Sequence, residues 1–217
     1  MANYFNLQLD TLAPSITAFQ INAGQSVTTN RTVTLTITCN DADVTGMKIW
    51  GYNGVLTEAA ASWETFASSK SVQLPSGDGL YTLYVKVRDD VYNESSASSA
   101  SITLSTELPE ITITGPDVSK ISEVSGKNTA TFTFVSDVAL KAYKVEVVTS
   151  SSTAHDAGTV IGTTGGSVNM TGTTVAANTS VTCKINGSDF KTAIGGTDGT
   201  YIVKVFGQSS VNDLWSA

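Results

Sequence analysis

Charged residues make up only 14% of this 217-residue chain, and proline (4), cysteine (2) and histidine (1) are scarcer still. Each scarcity excludes something. Little charge beside 41% hydrophobic residues is the opposite of a disordered, self-repelling tail. Four prolines against 18 glycines exclude a collagen-like repeat. Cys39 and Cys183 lie far apart, form no Cys-x-x-Cys pair and have no histidine beside them. They are therefore read as small reduced residues, without a zinc or redox motif. Cations are in the minority, 12 Lys and Arg against 19 Asp and Glu, for a net charge of -7. That balance lacks the positive footprint a phosphate backbone demands, so nucleic acid is not an expected partner. No apolar run reaches the roughly 18 residues of a helical membrane span, so no membrane is expected either. The start, Met1-Ala2-Asn3-Tyr4-Phe5, lacks the basic end and apolar core of a signal peptide, which predicts synthesis in the cytoplasm without a leader.

What the chain has in quantity is Ser and Thr, 58 together, interleaved with Val and Ile. Small polar and β-branched residues in alternation predict sheets with one wet face. The alternation is also repeated. Leu7-Gln8-Leu9 followed by Pro14-Ser15-Ile16-Thr17 matches Ile102-Thr103-Leu104 followed by Pro109-Glu110-Ile111-Thr112, at a constant offset of 95. Each copy reads as a strand, a proline-marked joint and a new strand, because proline offers no amide proton to a ladder. Val33-Thr34-Leu35-Thr36-Ile37 parallels Ala130-Thr131-Phe132-Thr133-Phe134, and Gly46–Trp50 parallels Lys141–Val147 one strand later. Gly77-Asp78-Gly79-Leu80-Tyr81-Thr82-Leu83-Tyr84-Val85 against Thr197-Asp198-Gly199-Thr200-Tyr201-Ile202-Val203-Lys204-Val205 is the closest match. An Asp-Gly turn, then Tyr, then alternating apolar residues is the sequence of a tyrosine corner, in which the hydroxyl ties back to upstream backbone. No amphipathic helix of useful length is predicted. Leu56–Lys70 comes nearest, and Trp63 with Phe66 fits a turn and strand equally well. The stretch from Thr149 to Gly196 reads as long Gly/Ser/Thr-rich connections.

The series Leu9-Asp10-Thr11-x-Ala13-Pro14, Val33-x-Leu35-x-Ile37, Met47-x-Ile49, Trp63-x-x-Phe66, Gly77-Asp78-Gly79-x-Tyr81-x-Leu83-x-Val85-x-Val87-x-Asp89 and Asn93-x-Ser95 resembles the bacterial and phage Ig-like repeat domains. The likeness covers the first half well and the second loosely. It implies an all-β fold of two tandem Ig-like β-sandwich domains: an N-terminal arm over 1–9, domain 1 over 10–106 and domain 2 over 107–217. Such modules serve as spacers, decorations or adhesion units without a reaction of their own, so no enzyme and no cofactor is expected. With no leader, the resemblance implies a structural component of a bacteriophage virion, as a capsid decoration, neck or tail-fibre protein. Its partners would be other virion proteins or copies of itself. The alternative is a carbohydrate-binding or adhesive module contacting a bacterial surface glycan.

Three groups of residues are candidates for function. Aligning Val91 with Val211 places the last strand of domain 2 near positions 222–224, past Ala217, whereas Phe5, Leu7 and Leu9 read as a final strand with no domain before it. That predicts assembly by strand donation, with Trp215 as a further docking group. Asp41 and Asp43 follow one strand, and Asp89, Asp90 and Asn93 follow another whose loop shares the same end of an Ig-like sandwich. Their oxygens are candidate calcium ligands, against their ordinary use as turn residues. Trp50, Tyr52 and Trp63 are candidates for a sugar-binding platform, against a place in the core. His155, between Ser151, Ser152 and Asp156, is read as a solvated loop residue because no oriented base or oxyanion donor accompanies it. Gly158, Gly162, Gly165 and Gly166 lack the Lys-Ser/Thr of a phosphate cradle and read as a flexible loop.

Overall fold

The structure, a computed structural model, describes residues 6–217. The chain divides between Thr106 and Glu107 into two compact units. Unit 1 contains strands β1 (Ile16–Ile21), β2 (Val27–Thr28), β3 (Thr32–Cys39), β4 (Gly46–Trp50), β5 (Glu64–Thr65), β6 (Ser69–Gln73), β7 (Gly79–Arg88) and β8 (Ser98–Leu104). They form two sheets, β1-β3-β6 and β2-β8-β7-β4-β5. The chain crosses between sheets from β3 to β4, from β5 to β6 and from β6 to β7, which is the Greek-key path of an Ig-like sandwich. Alternation decides which side chains fill the space between the sheets. On β3 the threonines face out while Val33, Leu35 and Ile37 are buried, and on β7 Leu83, Val85 and Val87 are fully enclosed. Ile102 and Leu104 of β8, beside β7 in the same sheet, add to the same core.

Gly51 ends β4 at φ +94, and a Cβ there would stand 2.3 Å from the backbone oxygen of Thr82. Both the left-handed backbone and the close approach of β7 require glycine at this place. The stretch Leu56–Lys70 folds as a single turn of 3-10 helix, Glu58–Ala60, followed by β5.

Unit 2 contains β9 (Ile111–Thr114), β10 (Thr129–Ser136), β11 (Leu140–Val148), β12 (Thr159–Val160), β13 (Thr171–Val175), β14 (Val181–Asn186), helix α1 (Gly187–Ala193) and β15 (Ile202–Ser209). One sheet is β9-β10-β14. In the other, β11 pairs with β12 and β13 along one edge and with β15 along the other. The core joins Phe132 and Phe134 of β10, Tyr143, Val145 and Val147 of β11, Ile161, Met170, Cys183 and Val205. The tyrosine corner is present in both units: Tyr81 Oη donates to the carbonyl of Gly77 at 2.7 Å, and Tyr201 Oη to that of Thr197 at 2.7 Å.

Two expectations are corrected here. Thr149–Gly196 is not a run of connections but carries β12, β13, β14 and α1. The Gly-rich stretch is held rather than loose. Asp189 of α1, 4% exposed, accepts from the amides of Gly165 (2.6 Å) and Ser167 (2.9 Å), and a Cβ on Gly165 would lie 2.0 Å from Ser188 Oγ. Burial pushes the Asp189 pKa upward, but the hydrogen bonds from Ser167, Gly165 and Thr164 outweigh it and hold the carboxyl below its ordinary value.

Candidate functional site

The calcium candidates are turn-forming groups. Asp41 Oδ1 accepts from the amide of Asp43 at 2.9 Å. Asp89 is fully buried at the end of β7 and accepts from the amides of Val91 (3.0 Å) and Asn93 (2.8 Å) and from Asn93 Nδ2 (2.8 Å). Burial raises the Asp89 pKa, and those donors bring it below its ordinary value on balance. Asp90 lies within this turn and is exposed. Among the described residues, only Glu146, His155 and Asp156 bring three ligand atoms of the His/Cys/Asp/Glu type within 4.8 Å of one another. The carboxylates of Asp41, Asp43, Asp89 and Asp90 are not gathered in that way.

The sugar-platform candidates are distributed among separate contacts. Trp50 is 8% exposed and stacks on Tyr84, centroids 5.4 Å apart and planes 7° from parallel. Tyr52 packs against the core of unit 1. Trp63 is covered by the Arg88 guanidinium, 4.6 Å from its ring centroid, and the same guanidinium lies 4.5 Å from the Tyr92 ring. Beside this clamp Glu58 binds Lys86 at 2.8 Å, which lowers the Glu58 pKa and raises that of Lys86.

His155 is not solvated, contrary to the sequence reading. Its side chain is 14% exposed and lies flat on Trp215, centroids 3.5 Å apart and planes 13° from parallel, with its edge toward Phe206 at 5.7 Å. Nδ1 is 3.3 Å from Asp156 Oδ2, and Nε2 is buried without a partner. Glu146, fully buried on β11, holds the loop through the amides of Asp156 (3.3 Å) and Gly158 (3.2 Å). Lys144 bonds Asp156 at 2.5 Å and lies 5.5 Å from the Trp215 centroid. Trp215 therefore docks on its own unit. Residues 150–158 and 215 reach this place from the middle and the end of unit 2, which is why no local signal marked it.

Burial lowers the His155 pKa, the neighbouring Asp156 and Glu146 oppose this, and Lys144 adds to it. The folded state thus prefers neutral imidazole. The unfolded chain takes its proton near pH 6.5, before the folded chain does, so the stability His155 contributes is full above that pH and is lost as pH falls through the depressed folded value. The melting temperature is expected to fall between pH 7.5 and pH 5 with a change in Trp215 emission. In His155→Phe, which keeps a ring on Trp215 but cannot titrate, that part of the fall disappears. Asp89, Asp156 and Asp189, whose pKa values are lowered, titrate below this window.

Burial acts on the pKa of both thiols. Cys183 is pushed up to about 11 by burial, and Cys39 is raised by burial and by Asp41. Both are free.

The remaining feature is an open sheet edge. β15 pairs with β11 on one side. On its other side only the end of the strand is paired: Ser209 N donates to Leu214 O (2.8 Å) and Ser216 N to Gly207 O (2.8 Å). Ile202–Phe206 has no strand on that side among the described residues. Next to it an open groove of about 360 Å³ runs between β15 and β9, lined by Leu108, Ile111, Ile113, Lys204 and Val205.

Strand order, sheet crossings and the paired tyrosine corners define the class: an all-β, Ig-like sandwich fold. No protein-family model and no curated protein matches the sequence. Among solved structures the chain is similar to the fibronectin(III)-like modules of Clostridium thermocellum CbhA, at 14% identity over 92% of this chain and 90% of that one, with a TM-score of 0.43. It is similar to the D00-D0 domain of Intimin at 12% identity over 92% and 97%, TM-score 0.37. It also matches chitinase ChiA74 from Bacillus thuringiensis at 15% identity, TM-score 0.35, spanning 30% of that chain.

Proposed function

We propose that this chain is a structural component on the exterior of a bacteriophage particle, a decoration, neck or fibre module that catalyses no reaction and docks through its sheet edges onto capsid or tail proteins or further copies of itself. The observation that carries this reading is the open edge of β15 beside an apolar groove. Unpaired N–H and C=O groups next to unfilled apolar surface gain both hydrogen bonds and burial when another strand is added. The sequence resemblance to Ig-like repeats of virion proteins supplies the setting. Mass spectrometry of purified particles tests it: the chain is expected in fixed stoichiometry to the major capsid or tail protein, and its absence from washed particles overturns the reading.

A second reading, an adhesive module contacting bacterial glycan, is favoured by Tyr92, which is 68% exposed beside the Arg88 guanidinium. An aromatic face next to a fixed donor is the usual apolar-plus-polar pairing for a sugar ring. Saturable binding on a glycan array, lost in Tyr92→Ala, is the outcome that would favour it.

A further inference from the structure

Leu7 and Leu9 of the arm are exposed, and Phe5 lies outside the described residues. Unit 1 carries an organised polar surface elsewhere, on the outer face of the β4–β7 pair. Cross-strand register sets Gly46 opposite Arg88, Lys48 opposite Lys86 and Trp50 opposite Tyr84. Because Met47, Ile49, Val85 and Val87 point into the core, these six positions face outward. They form a stripe with lysines in the middle and rings at both ends. Tyr84 is stacked on Trp50 at one end, and Trp63 and Tyr92 lie beside Arg88 at the other.

Within the stripe the lysines have carboxylate partners and the arginine does not. Glu58 lies 2.8 Å from Lys86 and 3.9 Å from Lys48, and Glu94 is 4.0 Å from Lys86. The chain's other arginine, Arg31, donates to the carbonyls of Leu74 and Pro75. Arg88 has neither an ion pair nor a side-chain hydrogen bond among the described residues, and its Nε is buried without a partner. Cation–π attraction to Trp63 and Tyr92 fixes the guanidinium but supplies no acceptor atom. Gly46 makes room for it, since a Cβ there would stand 2.8 Å from Nε. Tyr92 reaches it at a backbone cost. Its φ of +70 lies in a region that bulky residues seldom adopt, and the Asp89 turn holds it there. The outcome is a 68% exposed ring beside a fixed charge whose donors have no acceptor.

We infer that this stripe binds an acidic glycan, with the carboxylate of a uronic acid residue on the Arg88 guanidinium and its pyranose ring on Tyr92. The inference rests on the glycan reading above and names the charge of the sugar. A guanidinium matches a carboxylate with two parallel N–H···O bonds, which a neutral sugar does not offer. A pyranose presents an apolar face that an exposed tyrosine covers, and this favours a glycan over an acidic peptide. Lys86 lies roughly 7 Å along β7 from Arg88, and Tyr84 as far again, so further acidic sugars of the same chain can follow the stripe.

The test titrates the 217-residue chain with oligomers of galacturonic, glucuronic and mannuronic acid, with the methyl esters of the same oligomers and with poly-glutamate, by isothermal calorimetry. At least one acid oligomer is expected to bind, its methyl ester about tenfold or more weakly, and the affinity for the acid to fall as salt rises. This comparison needs no variant. Arg88→Lys keeps the charge beside the two rings but not the fork, and should remove most of the difference between acid and ester, with thermal melting verifying the fold. Tyr92→Ala should weaken acid and ester alike. Four results overturn the inference: no acid oligomer binds, acid and ester bind equally, Arg88→Lys retains the full preference for the acid, or poly-glutamate binds as tightly as the oligouronates. The glycan reading fails separately. Neutral glycans bound on the array through Tyr92 keep it standing when any of these results is obtained, whereas a chain that binds no glycan, acidic or neutral, ends both. Neither outcome bears on the particle test.

Discussion

Phe134→Ala is expected to destabilise unit 2 by about 3–5 kcal/mol, the range for emptying a fully buried phenylalanine site. Phe134 sits on β10 with no exposed surface, and its ring meets Tyr143 edge-on at 5.0 Å and 61°. β10 supplies Phe132 and Phe134 to one wall of the core, and β11 supplies Tyr143, Val145 and Val147 to the other, so the residual cavity would open between the two sheets. Interiors packed to crystal density relax only partly around such a loss. A domain of this size is stable by only about 5–15 kcal/mol, so one substitution would remove a large share of the total. In urea, with a slope of about 1–3 kcal/mol/M, the midpoint of the affected transition should fall by about 1–5 M. Leu80→Ala is the control. Leu80 lies on β7 but is 69% exposed, and its truncation should change stability by no more than about 0.5 kcal/mol. Equal effects from the two variants would mean that the buried face of β10 has been assigned wrongly.

Glu146→Ala is expected to release the loop that carries His155. The Glu146 carboxylate is fully buried and is the acceptor for the amides of Asp156 and Gly158, 10 and 12 residues ahead. Loop geometry around it is tight: a Cβ on Gly158 would fall 2.6 Å from the Val147 oxygen and 2.9 Å from Glu146 Oε2. Removing the acceptor leaves two N–H groups to be solvated, at a cost of about 1–3 kcal/mol, and the loop gains that solvation only by opening. Opening separates His155 from Trp215. Fluorescence should therefore show an altered Trp215 emission under native conditions, and the pH response assigned to His155 should vanish with it. Glu146→Gln keeps one acceptor oxygen and should give a smaller change in the same direction. A Glu146→Ala protein with unchanged emission and the parent's pH profile would show that the loop is held by other contacts, among them the bonds from Lys204 Nζ to the carbonyls of Ser151 (2.8 Å) and Thr153 (3.0 Å).

The parts of this molecule that were legible in advance are those whose cause is local. Val33-x-Leu35-x-Ile37 and Phe132-x-Phe134 announce a strand with one dry face, because side chains two apart share a face whatever the strand packs on. An Asp-Gly turn followed by tyrosine announces its own hydrogen bond, since the Tyr81 and Tyr201 hydroxyls close on carbonyls only four residues upstream. The strands β12, β13 and β14 and helix α1 were hidden inside a Gly/Ser/Thr-rich stretch for the converse reason. Thr171–Val175 buries only Val175 on β13, and α1 is seven residues long, too short for a period to be read.

Site chemistry divided along the same line. That Asp41 and Asp89 would act as turn formers could be read from residue type, but not that Asp89 would be wholly enclosed by donors from Val91 and Asn93. His155 was misread because its environment is assembled from residues distant in sequence: Glu146 of β11, Phe206 of β15 and Trp215 beyond it. Trp63 could be placed at strand spacing, yet the guanidinium that covers it arrives from Arg88 on β7.

By itself, then, the sequence determined the β class, the repeated alternation and the turn chemistry, all of which follow from two-residue alternation and from residues a few positions apart. Tertiary structure alone decided which polar groups are enclosed and which sheet edge stays open. Those outcomes depend on pairing across tens of residues, where burial and hydrogen bonding are set by whatever element arrives on the other side: β8 beside β7 in one unit, and on β15 in the other nothing beyond the Leu214–Ser216 contact among the described residues.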